Sequence, residues 1–198
     1  MAYIIVGLGN PEGQYAHTRH NAGRMAVEAF AKAEGFPEFT LRKVAKSLVS
    51  EGSIDGQKVV LVLPEVAMNL SGKVLPSFVK SKAAAKKLLI IRDELDMPLG
   101  ALKMTVGRGS GGHKGAESVM RILKTKDFAQ MKIGISAQTA KGKLKKPGDE
   151  EKVIKHVIGK FKPDEEKALK KILTKSTDAT RLFITEGNEP AMLLANTH

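Results

Sequence analysis

Short apolar runs typical of β-strands alternate along the chain with segments whose apolar residues recur at helical spacing. The helical pattern is clearest over residues 22–34, where we expect one apolar face to be buried. The strand-type runs are YIIVG, SLVSEGSI, KVVLVL, KLLIIRD (residues 87–93), ALKMTV and QMKIGIS. This alternation predicts one α/β domain over residues 1–198, with a twisted mixed β-sheet and helices on both faces.

Turn and capping residues indicate where several elements begin. Asp55-Gly56 lies between two β-rich runs and predicts a hairpin turn. Asn69 or Ser71 is expected to cap a helix that Pro76 kinks or restricts in its first turn.

The last part of the chain predicts a loop and then one long helix. The loop is expected over residues 137–151, AQTAKGKLKKPGDEE. Pro163 and the three acidic residues after it are typical of a helix start, and Gly187 is typical of its end.

Composition excludes several classes of protein. The absence of cysteine rules out disulfides, thiolate nucleophiles and cysteine-based zinc sites. The sequence has no apolar run of membrane-spanning length and no basic leader, so we expect a cytoplasmic protein that does not enter a membrane. A net charge of +12 favours a polyanionic partner, although a lysine-rich solvated surface would explain the same charge.

Polar segments follow four of the predicted strands. They are the opening loop with Asn10 and His20, the PEVAMN segment, the RDELD segment, and the glycine-rich loop with His113. Because ligands gather at the carboxyl ends of strands in α/β sheets, these segments predict one site.

The glycine-rich loop admits a second interpretation. Gly107, Gly109 and Gly112 match the G-x-G-x-x-G pattern of dinucleotide sites. The next strand, however, ends in Ser136 and not in the carboxylate that would hold a ribose. We therefore expect no nucleotide cofactor, and a loop whose backbone approaches a ligand closely.

Two histidines and an aspartate are candidates for the chemistry. His20, His113 and Asp93 could form a metal site, or a histidine base whose tautomer a carboxylate fixes. The residues alone leave both interpretations open. His17 and His156 have no comparable partner residues in the predicted site and are expected on the surface.

Four blocks together resemble the signature blocks of bacterial-type peptidyl-tRNA hydrolase, in order and in spacing. They are VGLGNPEGQYAHTRHNAG, MNLSGK, DELDMPLG and GSGGHKG. The resemblance implies a compact mixed-sheet α/β enzyme. Its substrate would be peptidyl-tRNA, and it would cleave the ester between the peptide and the 3′-terminal ribose without metal or other cofactor. It would be a monomer.

The resemblance also implies roles for single residues. His20 matches the general base, Asp93 the carboxylate that orients it, and Asn10 the amide that reads the peptide bond of the substrate. The implied binding residues are Tyr15 near the tRNA 3′ end, Met68 and Asn69 along the cleft, His113 in one wall, and Lys103 and Lys132 on the tRNA backbone. Further basic side chains could extend that backbone contact: Arg108, Lys141, Lys143, Lys145 and Lys146.

Two positions depart from the family pattern. Lys114 stands where the family usually has asparagine, and Ala67 where it usually has an aromatic residue. An ammonium group accepts no hydrogen bond, so Lys114 would act as a donor to a phosphate or an oxyanion. A noncatalytic RNA-binding relative and a metal-dependent hydrolase are therefore kept as rival hypotheses.

Overall fold

One seven-stranded sheet organises the computed structural model, which describes residues 1–139 and 141–197. The strands are β1 (Tyr3–Gly7), β2 (Thr40–Arg42), β3 (Ser47–Ile54), β4 (Gln57–Pro64), β5 (Leu88–Pro98), β6 (Leu102–Val106) and β7 (Ala129–Ser136). Their order is β2-β3-β4-β1-β5-β7-β6. The inner pairs β4–β1, β1–β5 and β5–β7 are parallel, and the outer pairs are antiparallel, which confirms the predicted mixed sheet.

Helices cover both faces of this sheet, as predicted. They are α1 (Ala22–Ala33), α2 (Lys82–Ala85), α3 (Lys114–Leu123), α4 (Glu150–Val157), α5 (Glu166–Thr185) and α6 (Asn188–Asn196). Short 3₁₀ helices span Gly13–Tyr15, Arg19–Asn21 and Met68–Ser77. The adjacent β1 residues Ile5 and Val6 point to opposite faces of the sheet. Ile5 packs in one apolar cluster with Phe30 and Phe183, and Val6 packs in the other with Val119.

The hairpin between β3 and β4 turns where the sequence predicts it. Asp55 and Gly56 have φ values of +46° and +79°. Two successive left-handed residues match the turn that suits the right-handed twist of paired strands.

The predicted cap at Asn69 or Ser71 is wrong. The segment is a 3₁₀ helix from Met68 to Ser77 with Ala67 in the capping position, and the Ser71 hydroxyl donates back to the Met68 carbonyl at 2.8 Å. This helix packs closely on α3. A Cβ added to Gly72 would lie 2.1 Å from the Ser118 carbonyl oxygen, so the two backbones approach each other closely at this point.

The C-terminal part contains more helix than the sequence analysis predicts. Helix α4 begins inside the expected loop, where the Asp149 carboxylate accepts the Lys152 N–H at 2.9 Å. The long helix begins at Glu166 and not at Pro163, and α6 follows Gly187, whose φ is +96°. Ala140 of the expected loop lies outside the described residues. Within the described part of the chain, every helix is too short or too polar to cross a membrane.

Candidate active site

Two histidines meet on one oxygen of Asp93. Oδ1 of Asp93, on β5, lies 2.9 Å from Nδ1 of His20 and 2.9 Å from Nε2 of His113. The two imidazole centroids are 5.2 Å apart. The predicted convergence of these three residues is confirmed.

The start of α1 holds His20 beside β5. His20 lies in the 3₁₀ turn Arg19–Asn21, which runs directly into the helix. At Gly23 an added Cβ would lie 2.0 Å from the Ile91 carbonyl oxygen. Only glycine permits this close approach. The approach places His20, three residues earlier, within reach of Asp93.

His113 donates its ring proton to Asp93. It is the N-cap of α3, and its Nδ1 accepts the Ala116 N–H at 3.2 Å. A neutral imidazole with an accepting Nδ1 carries its hydrogen on Nε2, the atom that faces Asp93. Burial lowers the pKa of His113 despite the attraction of Asp93, which favours the neutral ring.

In His20 the proton lies on Nδ1 and not on Nε2, the opposite of His113. Burial disfavours an ionised Asp93, but the two imidazoles outweigh it and hold the pKa of the carboxyl well below its usual range. The carboxylate therefore accepts the Nδ1 proton of His20 and leaves Nε2 as the basic nitrogen. Burial opposes the charged form of His20 too, but the charge and hydrogen bond of Asp93 raise its pKa overall, while Lys114 acts against the rise.

A cavity of about 180 Å³ opens beside these rings. Its walls come from the Arg19–Asn21 turn, β5, the glycine-rich loop, the start of α3, and α4. The lining residues are His20, Arg92, Asp93, Glu94, Leu95, Gly111, Gly112, His113, Lys114, Glu150, Val153, Ile154 and Val157. Lys114 Nζ lies 3.4 Å from Glu150 Oε1, with both side chains largely exposed. The cavity thus combines a basic nitrogen, an apolar wall from α4 and an exposed ion pair.

Asn10 and Met68 are joined by a hydrogen bond, and neither belongs to the cavity lining. Asn10 Oδ1 accepts the Met68 N–H at 2.9 Å, so the NH₂ group of this amide can still serve a ligand. The Met68 sulfur lies so close to Gly115 that an added Cβ there would approach it to 2.6 Å. Gly115 follows His113 by two residues, so the Asn10–Met68 pair lies near the imidazoles.

Asn21 is a residue of the site that the sequence analysis missed. Its Oδ1 accepts the Asn10 N–H at 2.9 Å and its Nδ2 donates to the Asn10 carbonyl at 3.1 Å. These two bonds close the opening loop on itself. The available sequence signal was that Asn21 is polar and directly follows His20. Its partner, Asn10, is identified only in the folded loop.

Tyr15 and Asn69 lie outside the cavity lining. Tyr15 is half-buried in the turn Gly13–Tyr15, and Asn69 is exposed at the start of its 3₁₀ helix. Of the two histidines assigned to the surface, His17 is exposed as predicted. The prediction for His156 is wrong, because it is half-buried and its Nε2 lies 3.2 Å from the Ile135 carbonyl oxygen, tying α4 to the sheet.

Lys103 and Lys132 face each other in the antiparallel register of β6 and β7. Lys132 Nζ is 4.0 Å from Glu94 Oε2, and Glu94 lines the cavity. Burial and the positive charge of Arg92 lower the pKa of Lys132, while Glu94 opposes them. A basic pair therefore lies within reach of the site.

The three convergent residues also offer ligand atoms to a cation. One atom each from His20, Asp93 and His113 lies within 4.8 Å of the others. Two nitrogens and an oxygen suit zinc. However, His113 Nε2 would first have to lose the proton that it directs at Asp93, because its Nδ1 is committed to Ala116.

Comparison with known proteins decides the family. The family model described as peptidyl-tRNA hydrolase matches residues 4–198. The chain belongs to the peptidyl-tRNA hydrolase family. Its peptidyl-tRNA hydrolase relatives include one from Syntrophotalea carbinolica, 34% identical over 96% of this chain and 94% of the relative, and one from Desulforudis audaxviator, 37% identical over 96% and 90%.

A solved structure agrees with this membership. The crystal structure of peptidyl-tRNA hydrolase from Acinetobacter baumannii has a TM-score of 0.88 to this chain at 32% identity, covering 100% of this chain and 95% of that one. Within the peptidyl-tRNA hydrolase family, this chain therefore has the common fold over its full length. The resemblance predicted from the four sequence blocks is confirmed.

Proposed function

We propose that this chain hydrolyses the ester bond between the peptide and the 3′-terminal ribose of peptidyl-tRNA, releasing free tRNA. The observation that carries the proposal is the orientation of His20. Its Nδ1 is held by Asp93 at 2.9 Å, which leaves Nε2 to accept a proton at the edge of a cavity. Family membership supplies the substrate class.

In the proposed mechanism His20 Nε2 takes a proton from water as the water attacks the ester carbonyl. The tetrahedral oxyanion then collapses, and the imidazolium returns the proton to the leaving 3′ oxygen of the ribose. Asp93 stabilises the imidazolium and keeps the ring in one tautomer. General base catalysis of this kind contributes about 10²–10⁴-fold to the rate.

Asn10 and its neighbours are proposed to hold the peptide. The NH₂ group of Asn10 can donate to a peptide carbonyl, which would favour N-blocked substrates. Met68 and Asn69 would line the path to the ester, and Tyr15 would lie near the 3′ end. His113 would keep Asp93 in place, and amide groups of Asn69 or of the glycine-rich loop would stabilise the oxyanion.

The positive charge of the chain is proposed to bind the phosphates of tRNA. Lys103 and Lys132 are neighbours on the sheet, and Lys114 stands at the cavity. Phosphate contacts are largely independent of sequence, which suits an enzyme that accepts many tRNAs. The monomeric state stays a prediction from the family resemblance, and the cytoplasmic location stays a prediction from the sequence.

The test is hydrolysis of an N-blocked aminoacyl-tRNA beside the same tRNA with a free amino group. We expect multiple turnovers on the blocked substrate and much slower release from the free one. Binding of the blocked substrate without turnover would contradict the proposal and favour the noncatalytic RNA-binding relative. Equal rates on both substrates would contradict the role of Asn10.

A further inference from the structure

We propose that Arg92 and Gln130 form a buried pair that positions the glycine-rich loop, and through it His113, against Asp93. The inference rests on the proposed function, since it concerns the same site. Arg92 and Gln130 are both 0% exposed. A charged guanidinium this deeply buried needs partners for its donors, and those partners show what it holds.

The pair holds three consecutive carbonyls of the loop. Arg92 Nε donates to Gln130 Oε1 at 3.3 Å. Gln130 Nε2 donates to the carbonyls of Arg108 at 2.7 Å and Gly109 at 3.3 Å. Arg92 Nη2 donates to the next carbonyl, Ser110, at 2.9 Å.

The same guanidinium also holds the strand that carries Asp93. Arg92 Nη1 donates to the Asp93 carbonyl at 2.9 Å, and Nη2 lies 3.2 Å from Glu94 Oε2. The guanidinium is planar, and its donors point in fixed directions. Arg92 therefore sets the distance between β5 and the loop with one rigid group.

The loop needs such support because its own backbone is permissive. Gly111 and Gly112 have φ values of +62° and +80°, and glycine adopts many other conformations at little cost. The next residue is His113, whose Nε2 must stay 2.9 Å from Asp93. If the anchored carbonyls are released, His113 moves away and Asp93 loses one of the two donors that orient it toward His20.

The experiment uses Gln130→Met, which keeps the length of the side chain and removes its donor and acceptor. The matched control is Gln138→Met, because Gln138 is exposed and its Nε2 donates to another loop carbonyl, that of Gly142, at 3.1 Å. Two readouts are compared: kcat and KM on N-blocked aminoacyl-tRNA, and the ¹⁵N NMR signals of the His113 ring.

For Gln130→Met we expect kcat to fall by about 10- to 100-fold while KM changes by less than about 3-fold, because groups in the site are misplaced without loss of contact to tRNA. The protected Nε2–H signal of His113 should disappear or shift. Gln138→Met should match the wild type in both readouts. If the kcat or the His113 signal of Gln130→Met stays at the wild-type value, the inference is overturned.

Two further outcomes need a second variant or a single readout: Gln130→Met does not fold, or the wild-type chain does not hydrolyse the substrate. If Gln130→Met does not fold, Gln130→Glu replaces it, since a carboxylate can still accept from Arg92 but cannot donate to the loop carbonyls. The same pair of readouts then applies. If the wild-type chain does not hydrolyse the substrate, the proposed function fails, and the His113 signal alone decides whether the pair positions the loop.

Discussion

Nδ1 of His20 lies 2.9 Å from Oδ1 of Asp93, although 73 residues separate the two along the chain. The opening loop supplies the ring and β5 supplies the carboxylate. The bond fixes which nitrogen of His20 carries the proton, and so which nitrogen is free to act as a base.

Replacing His20 tests the base directly. His20→Ala should lower kcat by at least about 10²-fold, because general base catalysis is lost, while tRNA binding stays near the wild-type level. Single-turnover hydrolysis and tRNA binding are the measurements. His17→Asn is the control, since His17 is exposed in the same loop and asparagine tolerates its φ of +59°. Activity of His20→Ala within a few-fold of wild type would remove His20 from the mechanism.

Asp93→Asn should change both the rate and its pH dependence. Asp93 raises the pKa of His20, so its loss should lower that pKa. His20 is active when neutral, so the acid limb of the kcat profile should move to lower pH. The rate at the plateau should fall because the tautomer is no longer fixed. An acid limb that stays in place would contradict the link between the two residues.

Chelation distinguishes the base from a metal centre. We expect o-phenanthroline to leave kcat unchanged, since the proposed base needs no cation. The non-chelating meta isomer is the control, and Mg²⁺ is kept constant so that the tRNA stays folded. Inhibition by the ortho isomer alone, reversed by added zinc, would support a metal site at His20, Asp93 and His113.

Lys114 is expected to act on His20 through its charge. It lowers the pKa of His20, so Lys114→Asn should raise that pKa and move the acid limb to higher pH while much of the activity is kept. Lys114→Glu should move the limb further and weaken substrate binding. Lys126→Asn is the control, because Lys126 is exposed and lies three residues beyond the end of α3. Identical profiles for all four proteins would contradict an effect of the Lys114 charge on His20.

Gly72→Ala should destabilise the fold at the contact between the 3₁₀ helix and α3. The added methyl group would lie 2.1 Å from the Ser118 carbonyl oxygen, so one backbone must shift. We expect the free energy of unfolding to fall by about 1–3 kcal/mol, the usual cost of overpacking. Denaturant titration measures it, with Gly148→Ala as a control whose Cβ has no described neighbour within 4 Å. Equal stability of both variants would show that the helices can separate freely.

Local sequence was enough to predict the sheet, helix α1 and the β3–β4 hairpin. Residues 22–34 carry a helical period, and Asp55-Gly56 supplies the left-handed turn, so each element depends on neighbours within a few positions. The four blocks likewise predicted the family, and the polar segments at the ends of the strands predicted that His20, His113 and Asp93 could meet. One local error arose where a cap residue was overlooked, at Asp149, which begins α4 inside an expected loop.

Only the tertiary structure decided how these pieces bear on one another. The Met68–Ser77 segment is a 3₁₀ helix, and it packs backbone to backbone on α3 at Gly72. One oxygen of Asp93 serves two imidazoles because the opening loop and the start of α3 both lie beside β5. Arg92 and Gln130 hold three loop carbonyls because β5 and β7 are neighbours in the sheet. A hydrogen bond needs its donor and acceptor about 3 Å apart, and for residues far apart in the sequence that distance is set by packing and not by local pattern.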